Sequence, residues 1–147
     1  MSDMTKSVQL QMTTFENACR DAGLRLTHQR LEVYRELCMV PDHPSAETLH
    51  QRLRTRFPTL SLDTVYRTLA TMERHGLINR VETVDSQSRF EATHKRHHHL
   101  ICSRCKGIMD FNWCLIDEAS LPKEVAFWGR IDIKSVILYG VCRKCLE

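Results

Sequence analysis

Two Cys-x-x-Cys pairs, Cys102/Cys105 and Cys142/Cys145, constrain this chain more than any other feature. Zinc favours four soft ligands in a tetrahedron, and two such turns supply them. The segment between the pairs exceeds the ~15–20 residues of common zinc ribbons, so it must hold a helix and a strand of its own. A metal there would tie the last strand to the first turn of the C-terminal half, and its binding free energy would be part of the folding free energy. A redox dithiol in each pair is the competing reading, but it asks for a separate strand–helix setting twice over. Of the remaining cysteines, Cys19 and Cys38 fall on apolar helix faces and are expected in a core, and Cys114 belongs to no pattern.

The start of the chain, Met1 to Gln11, is polar and lacks the apolar stretch of a signal peptide. The expectation is a cytoplasmic protein, and seven cysteines there are not a disulfide framework. No apolar run approaches the ~20 residues of a membrane helix. A length of 147 residues suits one mid-sized domain or two small ones. Except for His28, every histidine lies from His43 onward, so the metal-capable residues gather late in the chain. That shift in composition is the first sign of two domains. The net charge of +3 permits a nucleic-acid partner only if the basic residues cluster.

The first half reads as helices. Thr14 to Ala22 carries Phe15, Ala18, Cys19 and Ala22 at helical spacing, stopped by Gly23. Thr27 caps a second helix, ended by Pro41 and Pro44, and Ser45 caps a third that stops near Phe57-Pro58. Ser61 caps a fourth, with Leu62, Val65, Tyr66, Leu69 and Met72 as its buried stripe and Thr64, Arg67, Thr71 and Arg74 opposite. Two extended segments follow, Leu77 to Val84 and Arg89 to Ala92, around the turn-like Asp85-Ser86-Gln87-Ser88. Helices followed by a hairpin make a winged helix-turn-helix. Beyond it, strands flank Cys102–Cys105, a helix covers Leu115 to Phe127 with Pro122 inside it, and Ile131 to Val141 reads as a long strand. The expected fold is α+β: a winged-helix DNA-binding domain over 1–88, a hinge over 89–95, and a small α/β domain over 96–147.

In a helix-turn-helix the second helix enters the major groove. Arg67 on that helix is suited to bidentate bonding of guanine, and Tyr66 and Thr64 to thymine methyl groups. Arg52, Arg54 and Arg56 are placed for phosphates. A solvated helical face is the plainer reading of such arginines taken alone. His97 and His99 alternate along a strand and point to one face. Glu91 and Asp110 lie on neighbouring strands, and His43 lies away from them in sequence, in Asp42-His43-Pro44, so a site that includes it would join the two domains. Three imidazoles and two carboxylates would accept iron(II), manganese(II) or zinc(II), although any one of these residues alone is an ordinary surface or turn residue. His98 faces the other side of the strand and is left out, as are His28, His50, His75 and His94.

From about Phe15 to Cys145 the sequence resembles the ferric uptake regulator family. The segments that carry the likeness are Gly23-Leu24-Arg25-Leu26-Thr27-His28-Gln29-Arg30, His43-Pro44-Ser45-Ala46, Ser61-Leu62-Asp63-Thr64-Val65-Tyr66-Arg67-Thr68-Leu69, Ser88-Arg89-Phe90-Glu91, His97-His98-His99-Leu100-Ile101-Cys102 and Tyr139-Gly140-Val141-Cys142. The resemblance implies a winged helix followed by an α/β dimerisation domain, and a metal-dependent repressor that binds double-stranded operator DNA as a homodimer. It implies structural zinc at Cys102, Cys105, Cys142 and Cys145, and a regulatory metal at His43, Glu91, His97 and His99, with Asp110 used in some branches. It assigns base contacts to Tyr66 and Arg67 and a minor-groove contact to Arg25.

The chain departs from the family pattern in three places. His28 replaces a usual proline, Pro122 falls inside the usual dimerisation helix, and Arg96, His98, Asp117 and Lys134 stand where a third metal site is frequent. The branch markers conflict: Glu91 is like iron sensors, Asp110 like peroxide sensors, and Tyr66-Arg67 like iron or zinc sensors. Iron(II) or manganese(II) sensing is favoured, with peroxide- or zinc-responsive regulation as alternatives. Two rivals from other classes are a metalloenzyme using His97, His99 and Asp110, which has no HExxH or nucleophile elbow to support it, and a thiol redox switch.

Overall fold

The computed structural model describes residues 2–40, 42–83, 87–92 and 95–147. The chain divides into two compact units, Met1–His94 and Lys95–Glu147. The first is built on four helices, α1 (Ser2–Asp21), α2 (His28–Met39), α3 (Ala46–Leu53) and α4 (Leu62–Arg74), and a two-stranded wing, β1 (Asn79–Val81) and β2 (Arg89–Glu91).

Local chemistry sets most of these boundaries. Thr27, Ser45 and Ser61 each sit in extended backbone and accept the N–H three residues on, from Arg30, Thr48 and Thr64. This satisfies one otherwise orphaned donor at each helix start. Gly23 and Gly76 take φ of +66° and +71°, where a side chain would be strained. Each closes its helix with paired bonds, Gly23 N–H to Arg20 and Leu24 N–H to Cys19 in the first case, Gly76 N–H to Glu73 and Leu77 N–H to Met72 in the second.

The four helices and the wing share one core. Phe15 stacks on Tyr34 with ring centroids 3.9 Å apart. Leu49, Leu53, Val65, Leu69, Met72, Ile78 and Phe90 are buried around them. Cys19 is fully buried and Cys38 half-buried, where burial pushes its thiol up to about 11. Strand β2 runs antiparallel to β1, with Arg80 opposite Phe90, and Phe90 N–H donates to the Pro44 carbonyl. The loop before α3 is thereby sewn to the wing.

The second unit is a three-stranded sheet in the order β4 (Ile108–Phe111), β3 (His98–Cys102), β5 (Ile137–Gly140). Strand β4 runs antiparallel to β3, and β5 parallel to it. Three short helices complete it: α5 (Cys114–Glu118), α6 (Lys123–Trp128) and α7 (Arg143–Leu146).

Several boundaries differ from the sequence reading. Helix α1 begins at Ser2 rather than Thr14, because only Val8 and Met12 of its early turns meet the core and the rest is solvated. Tyr66 is not part of the buried stripe of α4; it is 44% exposed, and Thr68 takes the inward position. Thr64, expected on the outer face, is half-buried with its hydroxyl against that of Ser61. Pro122 splits the expected helix into α5 and α6, since it cannot donate to the preceding turn. The long strand shortens to Ile137–Gly140, the stretch that finds β3 as a partner. Val84, Asp85 and Ser86 of the wing turn, Pro41, and Thr93 and His94 of the expected hinge lie outside the described residues.

Candidate metal centres and reading surface

The two Cys-x-x-Cys turns meet at one end of the second unit's sheet. Their four sulfurs lie within 4.8 Å of one another, and Sγ of Cys105 is 3.8 Å from that of Cys142. The first turn folds tightly: Cys102 N–H donates to the Gly107 carbonyl and Lys106 N–H to that of Cys102. Lys106 takes a φ of +63° to allow it. A Cβ on Gly107 would come within 3.3 Å of the Cys105 sulfur and press it aside by a few tenths of an ångström. The second turn follows β5, with Cys145 N–H bonded to the Cys142 carbonyl. Ser103 N–H reaches the Gly140 carbonyl at 2.8 Å and joins the two turns.

The electrostatics of the quartet favour a cation. The Cys142 N–H donates to the Cys102 sulfur at 3.3 Å. That bond leads the causes that bring the Cys102 thiol down to about 6. Cys145 is driven up to about 12, first by its bond to Cys142 and then by burial and the other thiols. One sulfur leans toward the thiolate, while a neighbour is held protonated chiefly by its bond to Cys142. A dication among them removes that conflict, because metal coordination deprotonates thiols.

The histidine–carboxylate residues are divided along the chain, with His43 and Glu91 in the first unit and His97, His99 and Asp110 in the second. In the first unit His43 has a φ of +53°, a region that non-glycine residues seldom occupy. Its backbone is anchored by the Arg89 guanidinium, which donates to the His43 carbonyl at 3.2 Å. The ring is buried and lies 2.8 Å from the buried Glu91 carboxylate on β2.

In the second unit His97 and His99 converge, with their Nε2 atoms 3.1 Å apart. Asp110, opposite His99 in the sheet register, places an oxygen 3.7 Å from His97 Nε2 and 3.4 Å from His99 Nε2. His97 Nδ1 lies 2.6 Å from the Lys95 carbonyl. A carbonyl only accepts, so Nδ1 carries the hydrogen and Nε2 presents its lone pair to the cluster. Two imidazole nitrogens and a carboxylate aimed at one point suit a divalent metal of the first transition row.

His98, between them, points to the other face of the sheet and is fully buried. The Val136 N–H donates to its Nδ1 at 3.0 Å, and its Nε2 donates to Asp117 at 2.8 Å. Lys134 bonds the Ala119 carbonyl. At the positions that the resemblance links to a third site, His98, Asp117 and Lys134 are held in internal hydrogen bonds.

On the first unit, Asp63, Tyr66, Arg67, Ala70 and Arg74 form the exposed stripe of α4. Arg25 and Arg54 are exposed as well. Arg52 and Arg56 are paired, with Asp42 and with Glu36 respectively. Sequence reasoning missed the carboxylate partners of two candidate base-contacting residues: Tyr66 bonds Glu47, and Arg67 bonds Asp63. The i, i+4 spacing of Asp63 and Arg67 was a signal for the second pair.

The ferric uptake regulator family profile matches residues 21–135. The chain is 31% identical over 147 residues to the peroxide-responsive repressor PerR of Staphylococcus epidermidis, covering all of this chain and 98% of that one. The chain belongs to the ferric uptake regulator family. Its fold is similar to that of the Helicobacter pylori ferric uptake regulator Fur, with a TM-score of 0.79, 26% identity, and coverage of 95% and 94% of the two chains. The Vibrio cholerae Fur is similar too, with a TM-score of 0.70, 33% identity, and coverage of 86% of this chain and 98% of that one. Winged helix followed by a small sheet unit is therefore the family architecture in this chain. Its function is that of a DNA-binding transcriptional regulator and not of an enzyme.

Proposed function

We propose that the protein is a metal-responsive repressor that binds an A·T-rich palindromic operator as a homodimer. In this reading one divalent metal, iron(II) or manganese(II), is held by His43 and Glu91 together with His97, His99 and Asp110. A zinc ion at Cys102, Cys105, Cys142 and Cys145 is structural. The expected domain limits are 1–88 for the winged helix and 96–147 for dimerisation and metal binding, with the hinge at 89–95. The protein acts in the cytoplasm, and no helix among the described residues is long and apolar enough to cross a membrane.

The observation that carries this reading is the convergence of His97 and His99 at 3.1 Å, with the His97 lone pair fixed toward the cluster by Lys95. His43 and Glu91 support it, because a buried imidazole held in left-handed backbone against a buried carboxylate is a costly arrangement. Metal binding acts as a population shift. Moving the DNA-competent arrangement from 1:99 to 99:1 requires about 5.5 kcal/mol of differential binding. Tyr66, Arg67 and Thr64 face bases, and Arg25 reaches the minor groove.

Fluorescence anisotropy on a palindromic duplex, with chelator and then with each metal titrated anaerobically, tests the reading. Binding is expected only with metal. His43→Ala is expected to lose that metal dependence while the cysteine site stays loaded. Metal-dependent DNA affinity in the variant equal to that of the wild type would overturn the role of His43 in the population shift.

A second reading, peroxide-responsive repression through the same site, is favoured by the full-length similarity to PerR. Release from DNA on peroxide treatment by the iron-loaded but not the manganese-loaded protein would establish it. A zinc-responsive version is the outcome if zinc acts at the lowest free concentration.

A further inference from the structure

We propose that Asp63 and Glu47 are positioning residues for base reading, each holding one reading side chain, Arg67 or Tyr66, in the orientation in which it meets DNA. The inference rests on the DNA-reading role proposed above for those two residues. It starts from an electrostatic anomaly. Asp63 lies on the exposed stripe of α4 and Glu47 in the first turn of α3. A carboxylate on a face that meets the phosphate backbone works against counterion-driven binding. Both carboxylates are nevertheless placed against residues that would touch bases.

The geometry gives each a role. Arg67 has a highly exposed side chain, and its Nη2 bonds Asp63 one turn back on the same helix. The acidic residue is N-terminal to the basic one at i, i+4, the favourable sense of that pairing. A free arginine on a helix surface samples many rotamers. Asp63 occupies one of the five guanidinium donors and leaves the others for the O6 and N7 of guanine.

Tyr66 donates its hydroxyl to Glu47, a contact between α4 and α3. That bond leads the causes that raise the Tyr66 hydroxyl above its ordinary range and lower the Glu47 carboxyl. With its hydroxyl engaged, Tyr66 cannot donate it to a base or a phosphate. What remains to face the groove is the ring edge, which suits a thymine methyl group. The two braces therefore convert two flexible or ambiguous side chains into one guanine reader and one thymine reader, and they do so at a cost in non-specific affinity.

The test uses the full-length manganese-loaded protein. Duplexes are enriched by the wild type from a randomised pool, and every base pair of the enriched site is then changed singly. Affinities are compared for wild type, Asp63→Ala, Asp63→Asn, Arg67→Ala and the Asp63→Ala/Arg67→Ala double variant, and separately for Glu47→Ala. Asp63→Ala is expected to lose discrimination by about fivefold or more, at the same base pair as Arg67→Ala. Binding to an unrelated duplex is expected to stay equal or tighten. The double variant should lose nothing further, and Asp63→Asn, which keeps an acceptor, should retain part of the discrimination. Glu47→Ala should flatten a different base pair, an A·T one.

Unchanged discrimination in Asp63→Ala and Glu47→Ala overturns the braces, as does an equal weakening on every duplex. If the wild type enriches no duplex at all, the DNA-reading role itself fails and takes the braces with it. That result is distinct from a wild type that reads DNA without them.

Discussion

The two units of this chain solve the same problem, closing a core, by different means. The first buries Phe15, Leu49, Leu53, Leu69, Met72 and Ile78 in one apolar cluster that all four helices and the wing share. The second has little comparable. Its buried residues are Ile101, Cys102, His98 and His99, three of which carry polar or metal-binding groups. Meanwhile Phe127 is 94% exposed, Trp128 and Ile133 78% each, and Leu115 79%. A small unit that leaves such groups outside needs another source of stability. A metal at one end of the sheet and a second copy of the chain over the apolar surface would supply it. The difference teaches where each unit is vulnerable: the first to cavities, the second to loss of ligands.

The largest expected effect follows from removing a cysteine ligand. Cys142→Ser, or a strong chelator on the wild type, should unfold the second unit outright. Apparent zinc binding at structural sites contributes ~10–16 kcal/mol at neutral pH, more than a small unit's whole stability. Hydrogen exchange by mass spectrometry would show protection lost across β3, β4 and β5 while α2, α3 and α4 keep theirs. Retained protection in β3 after chelation would mean that the second unit has a sufficient core of its own, and the contrast would collapse.

Next in size is the exchange of Phe15 against Phe127. Both are large aromatic side chains, one buried in a stack with Tyr34 and one almost bare. Phe15→Ala should destabilise the first unit by about 3–5 kcal/mol in denaturant melts. Phe127→Ala should change the melt of dilute monomer by less than ~0.5 kcal/mol. A measurable rise in the dimer dissociation constant in ultracentrifugation would put Phe127 under a partner copy. A large loss of monomer stability from Phe127→Ala would show that the exposed surface is already covered within the chain.

The same contrast explains what the sequence revealed. Caps are local chemistry, so Thr27, Ser45 and Ser61 could be read directly as helix starts. The α+β architecture followed from the change of pattern after the wing. The early turns of α1 carried no marker, because a solvated helix with two apolar contacts looks like a polar tail. Tyr66 lies one position from the buried Val65, and period counting is blind to a one-residue error at the edge of a stripe. The Ile131–Val141 segment is rich in β-branched residues, but strand formation needs a hydrogen-bonding neighbour, and only Ile137–Gly140 has one. Helix α7 carries no sequence marker, because it is one turn long and the residue before it, Cys142, makes no side-chain cap bond. At the candidate sites, spacing announced which residues could converge. It could not announce the left-handed backbone of His43 or the Lys95 carbonyl that sets the His97 tautomer, because both depend on tertiary placement.

A smaller effect probes the polar part of the second unit. His98 is fully buried and uses both ring nitrogens, accepting from Val136 and donating to Asp117. His98→Leu should leave the Val136 N–H and the Asp117 carboxylate without it, a loss of about 1–3 kcal/mol read as a lower melting point of the zinc-loaded protein. An unchanged melting point would show that this network adds nothing beyond packing.

The smallest test belongs to the first unit and is the most local. Thr27→Ala removes the side-chain acceptor of the Arg30 N–H at the start of α2 and should cost about 1 kcal/mol. Thr27→Ser, which keeps the hydroxyl, should restore most of it. The two substitutions differ in the hydroxyl alone as far as capping is concerned, so the comparison isolates the hydrogen bond from the loss of the threonine methyl. The loss should appear in the denaturant midpoint of the first unit and leave the second unit's metal-dependent transition where it was. A shift of both transitions together would show that the two units unfold as one, and the separate vulnerabilities argued above would then be two faces of a single cooperative structure.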